Sequence, residues 1–367
     1  MRTAIEYELR TSFSINSISG MDTTRASLQD VARTAGVSLA TVDRVLHGRA
    51  GVHARTVERV NEVVRRLGYR PDPAAARLAR NRSVRLVFVL PTGTNSFITL
   101  LNQQIAAIAP WLAEQRTKAQ VQTVDVFAPD ALARHLAGLQ GHCDAVVVMA
   151  LDHPLVRAAI DDLVAHGTVV ITLVSDVPGS RRTHFVGIDN VAAGRTAATL
   201  LGRFVRPAPG AEEARIGIVL GSRALRDHAE RLFGFEQVMA AEHPHLRLVA
   251  PIEGHDLSER TEPLVAKLLK REPTLAGLYS IGAGNRGIQA ALAASGRAQH
   301  IAWVCHELTP HARRALLDGV ADAVINQDAG HEVRSASRLA LARLSGDRVM
   351  PDQERIRIDI FVKDNLP

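Results

Sequence analysis

From Val84 to the end of the chain, the sequence alternates short apolar runs with stretches of helical periodicity. The helical stretches include residues 97–114 and 154–165. The apolar runs are rich in β-branched residues, and they read VRLVFVLP, VQTVDVF, DAVVVMA, VVITLVSD, HFVGIDN, RIGIVLG, LRLVAPI, LAGLYSIG, IAWVCHE and AVINQD. Such runs are typical of parallel strands that are buried on both faces. Residues 84–367 therefore predict a doubly wound α/β fold, and they are numerous enough for two lobes.

A different pattern occupies residues 27–48, where two short helical patterns meet at Gly36. The apolar positions at helical spacing are Leu28, Val31, Ala32 and Ala35 before the glycine, and Val37, Thr41, Val42, Val45 and Leu46 after it. Ser27 and Ser38 stand where each helix needs an N-cap, and Gly36 permits a tight turn. The pattern predicts a helix-turn-helix, whose second helix is expected in the major groove of DNA.

The exposed face of the second helix carries Leu39, Ala40 and Arg44. Arginine can donate two hydrogen bonds to guanine, and small apolar side chains suit a thymine methyl group. This face therefore favours DNA reading over the alternative, a plain amphipathic helical hairpin. A third helix over residues 54–67 is predicted to close the module, with apolar positions Val57, Val60, Val64 and Leu67.

Charge is distributed unevenly along the chain of 367 residues. The formal net charge is +6, whereas residues 22–85 contain 13 arginines against six acidic residues, a net charge of +7. The excess positive charge thus coincides with the predicted DNA module, as expected of a phosphate binder. The 46% hydrophobic content is sufficient for two or three domains with substantial cores.

The residues of the helix-turn-helix resemble the LacI/GalR family, the lactose-repressor family of bacterial transcriptional regulators. The family pattern is close to L-x-D-V-A-x-x-A-G-V-S-x-x-T-V-x-R-V-L, and the matching residues are Leu28, Asp30, Val31, Ala32, Ala35, Gly36, Val37, Ser38, Thr41, Val42, Arg44, Val45 and Leu46. The resemblance implies a small all-α helix-turn-helix domain over residues 25–70, a hinge helix over 71–83, and a ligand-binding and dimerisation domain over 84–367. That last domain would be periplasmic-binding-protein-like, type I, with two Rossmann-like lobes and crossovers near Ile188, Leu308 and Asp347.

The same resemblance implies which residues contact operator DNA, namely Ser38, Leu39, Ala40, Thr41, Arg44 and Leu78. Leu78 belongs to the hinge segment, which is too short to be helical alone. In the family, this segment becomes helical when two subunits lie side by side on DNA, and its leucine enters the minor groove. A homodimer is therefore expected. Residues 1–24 are polar and predict a disordered leader, with either Met1 or Met21 as the start.

Polar residues follow the predicted strands, where ligands of doubly wound sheets bind. The candidate ligand-binding residues are Asn95, Phe97, Asp152, Asp176, Arg231, Asn285, Glu307 and Gln327. The role of Arg231 comes from the resemblance, because the family has an arginine just before a Gly-aromatic pair. Carboxylates, amides and a guanidinium suit a sugar-like effector, since each hydroxyl both donates and accepts hydrogen bonds. The combined prediction is a ligand-responsive regulator, a repressor controlled by a sugar or a similar polar metabolite.

One motif supports an alternative. Gly282, Gly284 and Gly287 form a GxGxxG after a predicted strand, and Glu307 ends the next strand about twenty residues later. This arrangement is similar to the dinucleotide fingerprint and would suit an NAD(P)-binding oxidoreductase or a redox-sensing regulator. Its position late in the chain, rather than in a first βαβ unit, counts against that alternative.

Other functional classes receive little support. The sequence has no GxSxG or Walker motif and no zinc-ligand spacing, so we expect no enzyme activity, no metal and no cofactor. The two cysteines, Cys143 and Cys305, lie beside apolar runs and indicate reduced core residues. A transport-type sugar-binding protein would need a signal peptide, and the first twenty residues lack its apolar core. No run is long enough to span a membrane, so a cytoplasmic location is expected.

Overall fold

A computed structural model describes residues 26–46, 50–69, 83–93, 95–206 and 213–367. The chain divides into two compact units, residues 1–76 and 77–367. The predicted leader, Leu78 and nearly all of the predicted hinge lie outside the described residues, so those expectations stay predictions. Within the described ranges, no helix combines the length and apolarity that crossing a membrane requires.

The first unit contains three helices, α1 (Leu28–Ala35), α2 (Leu39–Leu46) and α3 (Ala54–Arg66). Val31, Val42 and Val60 are completely buried where the three helices meet. All three predicted helices are confirmed. In α3, Val63 is buried and the predicted Val64 is only partly covered, because the buried stripe faces α1 and α2 at a slightly different angle.

The second unit begins with lobe 1, a parallel five-stranded sheet in the order β2-β1-β3-β4-β5. Its strands are β1 (Val84–Pro91), β2 (Thr117–Val124), β3 (Ala145–Val148), β4 (Val169–Leu173) and β5 (His184–Val186). The helices between them are α4 (Ser96–Glu114), α5 (Pro129–Gly138) and α6 (Pro154–Ala165). In β1, Leu86 and Phe88 point into one core while Val87 and Val89 point into another. Both faces of the sheet are therefore covered, which explains the continuous apolar runs.

Lobe 2 has a seven-stranded sheet in the order β12-β11-β10-β9-β6-β7, with β8 also paired to β6. Its strands are β6 (Ala214–Leu220), β7 (Leu246–Leu248), β8 (Ile252–Glu253), β9 (Leu275–Ser280), β10 (Ala302–His306), β11 (Ala323–Gln327) and β12 (Ile358–Phe361). Its helices are α7 (Asn190–Phe204), α8 (Arg226–Glu242), α9 (Ser258–Arg271), α10 (Asn285–Ser295) and α11 (Pro310–Leu317). All pairings are parallel except β11 with β12. The two lobes confirm the predicted doubly wound architecture.

The chain passes between the lobes three times. It leaves lobe 1 after β5, as predicted near Ile188, and returns after β11 to form α12 (Ala329–Ser345), which packs on α4 and β4. It then passes through α13 (Pro351–Glu354) to β12, close to the predicted third crossover. The crossover predicted near Leu308 is wrong, because Leu308 joins two elements of lobe 2. The second crossover lies instead at Asp328, which caps α12 through a hydrogen bond from the His331 amide.

Three strand assignments also differ from the sequence prediction. The second strand begins at Thr117, four residues before the predicted run, because Arg116 turns the chain with φ 52°. The run LRLVAPI forms two short strands, β7 and β8, separated by residues 249–251. The final strand β12 was not predicted, since its sequence IDIF interrupts its apolar residues with an acid. It is the antiparallel edge of lobe 2.

Candidate functional site

Local hydrogen bonds cap the starts of α1 and α2, and a glycine forms the turn between them. The Ser27 hydroxyl accepts from the Asp30 amide at 3.2 Å, and the Ser27 amide donates to the Asp30 carboxylate at 2.9 Å. Gly36 adopts φ 61°, in the left-handed region that favours glycine. The Ser38 hydroxyl accepts from the Thr41 amide at 3.2 Å and so caps α2. The predicted caps and the predicted turn are thus present.

Helix α2 presents several predicted DNA-reading side chains to solvent. Leu39 is 43% exposed, and Ala40 and Arg44 are also exposed, whereas Val42 on the opposite face is buried. Thr41 is partly covered, and its hydroxyl lies 2.9 Å from that of Ser38. One face of α2 therefore holds the helix in the unit while the other is free to meet a large partner. The remaining predicted contact, Leu78, falls outside the described part of the chain.

In the second unit, a cavity of about 200 Å³ lies between the lobes at the carboxyl ends of the strands. It forms beside the positions where strand order reverses, next to β1 in lobe 1 and β9 in lobe 2. Its lining residues are Asn95, Ser96, Phe97, Asp256, Ser258, Ala283, Gly284, Asn285, Arg286, His306, Glu307, Thr309 and His311. Four predicted ligand-binding residues, Asn95, Phe97, Asn285 and Glu307, are therefore brought together.

Each side of the cavity is held by hydrogen bonds at a helix start. In lobe 1, the side-chain oxygen Oδ1 of Asn95 accepts from the Phe97 amide at 2.8 Å and caps α4. In lobe 2, Asn285 accepts from the Ser280 hydroxyl at 2.5 Å and donates to the His306 carbonyl at 3.1 Å. These bonds fix two amide side chains at the cavity wall, on opposite lobes.

Arg231 lies in α8 with only 2% of its surface exposed. Its Nε donates to Asn190 Oδ1 at 2.8 Å, and its Nη1 donates to the Ile281 carbonyl at 2.9 Å. Its Nη2 has no hydrogen-bond partner within the described residues, and it lies 3.8 Å from Glu307 Oε1. The guanidinium is thus oriented by two bonds, and it does not line the cavity itself but lies next to Glu307, which does.

Two glycines place Arg231 against α7. A Cβ on Gly194 would lie 1.9 Å from the Arg231 carbonyl oxygen, and a Cβ on Gly234 would lie 2.1 Å from the Val191 carbonyl oxygen. The helices therefore touch backbone to backbone, which no larger residue at either glycine would allow. This close crossing brings Asn190, the first residue of α7, within reach of the guanidinium.

Glu307 is held in the cavity wall by both its backbone and its side chain. It has φ 67°, a strained conformation for a residue with a side chain, and its Oε1 accepts from Gln327 Nε2 at 2.7 Å. Its Oε2 has no described partner. Burial raises the pKa of Glu307 to about 7, and the neighbouring Arg231 and Gln327 only partly oppose that effect. Burial thus favours the protonated form of this carboxyl more than in an exposed glutamate.

Two further acids lie buried close to this group. Glu332 of α12 is completely buried, and neither of its carboxyl oxygens has a partner in the described structure. Burial, and then repulsion by Glu307, raise its pKa well above the ordinary value. Asp227 of α8 is 2% exposed, and its Oδ1 is also without a described partner. His306 stays neutral, because burial lowers its pKa well below the ordinary value.

The structure does not bring Asp152 and Asp176 to the cavity wall. Arg182 and Thr172 hold Asp176, and although burial opposes its ionisation, these hydrogen bonds lower its pKa. Asp152 accepts from Arg157 at 2.7 Å and from Arg226 of lobe 2 at 3.4 Å. It therefore forms an ion pair between the lobes. Gln327 is buried and reaches the cavity through Glu307.

Comparisons with known proteins agree with this architecture. Residues 86–348 match the periplasmic binding protein domain, and residues 27–72 match the bacterial regulatory proteins of the lacI family. The chain belongs to the LacI family. The match explains why a helix-turn-helix and a two-lobed sheet unit occur in one chain, and it confirms the resemblance found in the sequence.

Relatives of this LacI-family chain include the catabolite control proteins A of Staphylococcus aureus and Streptococcus mutans, which are 40% and 41% identical over 83 residues. These 83 residues are 23% of this chain and 25% of each relative, so the match spans only a quarter of their length. Among solved structures, a glucose-galactose binding protein from Geobacillus stearothermophilus matches with a TM-score of 0.67 at 21% identity, covering 78% of this chain and 99% of that protein. A solute binding protein from Burkholderia graminis, in complex with D-arabinose, matches with a TM-score of 0.68 at 19% identity, covering 77% and 96%. These likenesses establish the fold.

The glycine motif of this LacI-family chain has a packing role. A Cβ on Gly287 would lie 2.3 Å from the Ser258 carbonyl oxygen, so this glycine allows α9 and α10 to pack closely. Gly284 has φ 95° and begins α10. The Ala283 amide donates to the Asp256 carboxylate at 2.9 Å. An anionic pyrophosphate at this helix start would meet that carboxylate, which disfavours the dinucleotide alternative.

The two thiols are also poorly suited to redox sensing. Cys143 and Cys305 are both buried, and burial raises the pKa of the Cys143 thiol to about 11. Burial raises the pKa of Cys305 still further. Because the thiolate is the reactive form, both cysteines behave as core residues, as the sequence indicated.

Sequence reasoning missed Asp256, Asp227 and Glu332. Asp256 has φ 58° and follows β8, but the run LRLVAPI had been taken as one strand, so the polar residues after it were not recognised as a strand end. Asp227 and Glu332 stand in the first turns of α8 and α12, where acids are common for helix stability alone. Their burial is visible only in the folded structure.

Proposed function

We propose that this LacI-family protein is a ligand-responsive transcriptional regulator that binds operator DNA through α2 and a small polar effector in the interlobe cavity. The observation that carries the proposal is the coexistence, in one chain, of an exposed reading face on α2 and a buried cavity with unpartnered polar atoms. The ligand would be bound and not transformed, so the proposal includes neither catalysis nor a cofactor.

The DNA part of the proposal rests on the exposed face of α2. Arg44 would donate to a guanine edge in the major groove, while Leu39 and Ala40 would contact thymine methyl groups. Ser38 and Thr41 lie at the start of the same helix, where hydroxyls commonly contact phosphate. The excess of arginines between residues 22 and 85 would add sequence-independent affinity that falls as salt concentration rises.

The effector part rests on the size and chemistry of the cavity. Its volume of about 200 Å³ lies below the roughly 300 to 1,000 Å³ of pockets for drug-sized ligands, so a ligand of one sugar ring suits it. Asn95 and Asn285 offer both donors and acceptors, as sugar hydroxyls require. Buried Phe97 would cover an apolar face of such a ring.

We further propose that the protein acts as a homodimeric repressor in the cytoplasm, where genomic DNA is accessible. Two copies would place their α2 helices in successive major grooves of a palindrome, and Leu78 would enter the minor groove between them. An effector that binds only one arrangement of the lobes would then change operator affinity, because a ligand shifts an equilibrium only by its difference in affinity for the two states.

The decisive experiment has two steps. Purified full-length protein is mixed with fragmented genomic DNA, the retained fragments are sequenced, and polar metabolites are then screened for release of the protein from the recovered site. The proposal predicts a palindromic site that at least one sugar-like compound releases. Retention without sequence preference, or a specific site that no sugar-like compound affects, would contradict it.

A further inference from the structure

A buried polar cluster that reaches the cavity wall at Glu307 has more unpartnered hydrogen-bond acceptors than donors. The acceptors without a partner in the described structure are Asp227 Oδ1, Glu307 Oε2, Gln327 Oε1 and both carboxyl oxygens of Glu332. On the other side of the balance, the unpartnered nitrogens are Arg231 Nη2, which is a donor, and His306 Nδ1, whose role depends on the tautomer. A ligand that meets this cluster at Glu307 should therefore bring donors rather than acceptors, because buried polar atoms are costly when unpaired.

The balance of charge points in the same direction. Three buried carboxyl groups, Asp227, Glu307 and Glu332, face one buried guanidinium, that of Arg231. They act on one another, since Glu332 is influenced by both other acids and by Arg231. The other charged or titratable groups around them include His228 and Glu230 of α8, Tyr279 of β9, His306 of β10 and Asp328, the N-cap of α12. Full ionisation of the three acids would leave a surplus of negative charge in an enclosed site.

Burial favours the protonated form of two of these acids. Burial raises the pKa of Glu307 to about 7 and that of Glu332 further above its ordinary value. A ligand ammonium group could take the place of these protons. It has three N–H donors and no acceptor, whereas a hydroxyl brings one donor together with acceptor lone pairs.

Resting on the proposed function, we propose that the effector is a small polyhydroxyl compound with a protonated amine, of the amino-sugar class, and that its ammonium group binds at Glu307 on the cavity wall, where the buried carboxyl groups of Asp227 and Glu332 add negative charge. Its hydroxyl groups would meet the amides of Asn95 and Asn285 on the cavity wall. Binding would release protons from the site, because the ammonium stabilises the ionised carboxylates.

The test is calorimetric titration of the full-length protein with matched ligand pairs. The probes are D-glucosamine, D-galactosamine and D-mannosamine, each compared with its parent hexose at pH 7 in phosphate and in Tris. At least one amino sugar should bind at least tenfold more tightly than its parent, and its binding heat should differ between the buffers because protons are released. Equal or tighter binding of every parent hexose, or no binding by any of the three amines, would overturn the inference.

Replacing one buried carboxyl group by a neutral amide tests whether its charge supports binding of the ammonium group. Glu332→Gln, which preserves size, should lower the affinity for the amino sugar at least tenfold and reduce its preference over the hexose. Asp328→Asn is the matched control, because Asp328 is on the same helix, is exposed and can still cap as asparagine. If Glu332→Gln fails to fold, Asp227→Asn provides the same measurement. Unchanged amine affinity in a folded variant would overturn the assignment.

Operator release separates this inference from the proposed function. If a parent hexose releases the protein from its operator as effectively as the amine, the regulator stands and the ammonium site is wrong. If the amine binds without changing DNA affinity, the ammonium site stands and the proposed coupling to DNA is wrong.

Discussion

The helix-turn-helix unit exposes its candidate functional side chains, whereas the interlobe cleft buries them. Leu39 of α2 is 43% exposed and Arg44 is also exposed, while Arg231 and Gln327 of the second unit are each 2% exposed. The exposed groups keep their hydration until a partner arrives. The buried groups have already lost water on folding, and several have gained no hydrogen bond in return.

In the helix-turn-helix unit, this difference in burial allows DNA affinity and folding stability to change independently. In the cleft, ligand affinity and folding stability should change together. Substituting an exposed side chain on α2 should change DNA affinity with little effect on folding. Substituting a buried polar side chain in the cleft should change ligand affinity, stability and pH dependence together, because each such group is part of a hydrogen-bonded network. Four substitutions test this difference, and they are given in descending order of predicted effect.

Arg231→Ala should lower the free energy of unfolding by about 3 kcal/mol and abolish the effector response. The variant loses the bonds to Asn190 and Ile281 and leaves buried Glu307 without its neighbouring cation. Urea unfolding measures the first effect and effector-induced DNA release the second. Arg195→Ala, an exposed arginine on the adjacent helix α7, should change stability by less than about 0.5 kcal/mol. A loss below about 1 kcal/mol for Arg231→Ala would show that the buried polar groups of the cleft contribute no more to folding stability than exposed ones.

Glu307→Gln should remove a pH dependence of stability. The folded-state pKa is raised to about 7, so the folded protein holds a proton that the unfolded chain has released, and wild-type stability falls as pH rises from about 4.5 to 7. The difference between wild type and variant should change by up to about 3 kcal/mol across this window. Urea unfolding at pH 4.5 and pH 8 measures it, with exposed Glu259→Gln as control. Parallel pH profiles for wild type and Glu307→Gln would show that the carboxyl is effectively hydrated.

Arg44→Ala should weaken operator binding by about 1 to 3 kcal/mol and relax the preference for one guanine, without altering stability. Arg59→Ala, an exposed arginine on α3, should weaken binding to all sequences alike and reduce the salt dependence. Fluorescence anisotropy with operator and random duplexes at several salt concentrations distinguishes the two results. A loss of equal size on both duplexes for Arg44→Ala would remove this residue from the base-reading set.

Asp152→Asn should have the smallest effect, less than about 1 kcal/mol in the free energy of unfolding. Asp152 joins Arg226 across the lobes, but the arginine side chain is 38% exposed, and partly hydrated ion pairs contribute little. Asp130→Asn breaks an exposed pair with Arg134 inside lobe 1 and is the matched control. A loss above 2 kcal/mol would mean that this pair holds the lobes together. The ion pair at the rim of the cleft would then behave like a fully buried one.

The sequence predicts the helix-turn-helix closely because its signals are local. Ser27 and Asp30 form a capping box, and Gly36 and Ser38 define the turn and the next cap, all within twelve residues. The apolar runs likewise predict most strands, since burial on both faces leaves an unmistakable pattern. Crossovers are less predictable, because the lobe on which a helix packs depends on contacts distant in sequence. The misplaced crossover at Leu308 is an example.

Within the cleft, the sequence predicts which residues lie at the carboxyl edge of the sheet, because they follow strands. It does not predict which partner each side chain contacts. Asn95 and Glu307 reach the cavity. In contrast, Asp176 accepts hydrogen bonds from Arg182, and Asp152 accepts them from Arg157 and Arg226. These arginines follow within a few residues or belong to the other lobe, so spacing alone did not identify them. Glu332 escaped prediction for the opposite reason, since its sequence context is that of an ordinary helix start.

The length of strand β1 separates the cavity from the point where the chain enters lobe 1. It begins at Val84, where the chain enters lobe 1, and ends at Pro91, just before the cavity residues Asn95 and Phe97. Eight residues of strand at roughly 3.3 Å each span about 26 Å. A ligand one sugar ring across cannot bridge that length. If lobe 1 turned as a rigid body when the proposed effector bound, a small rotation at the cavity would become a larger displacement of Val84 at the far end.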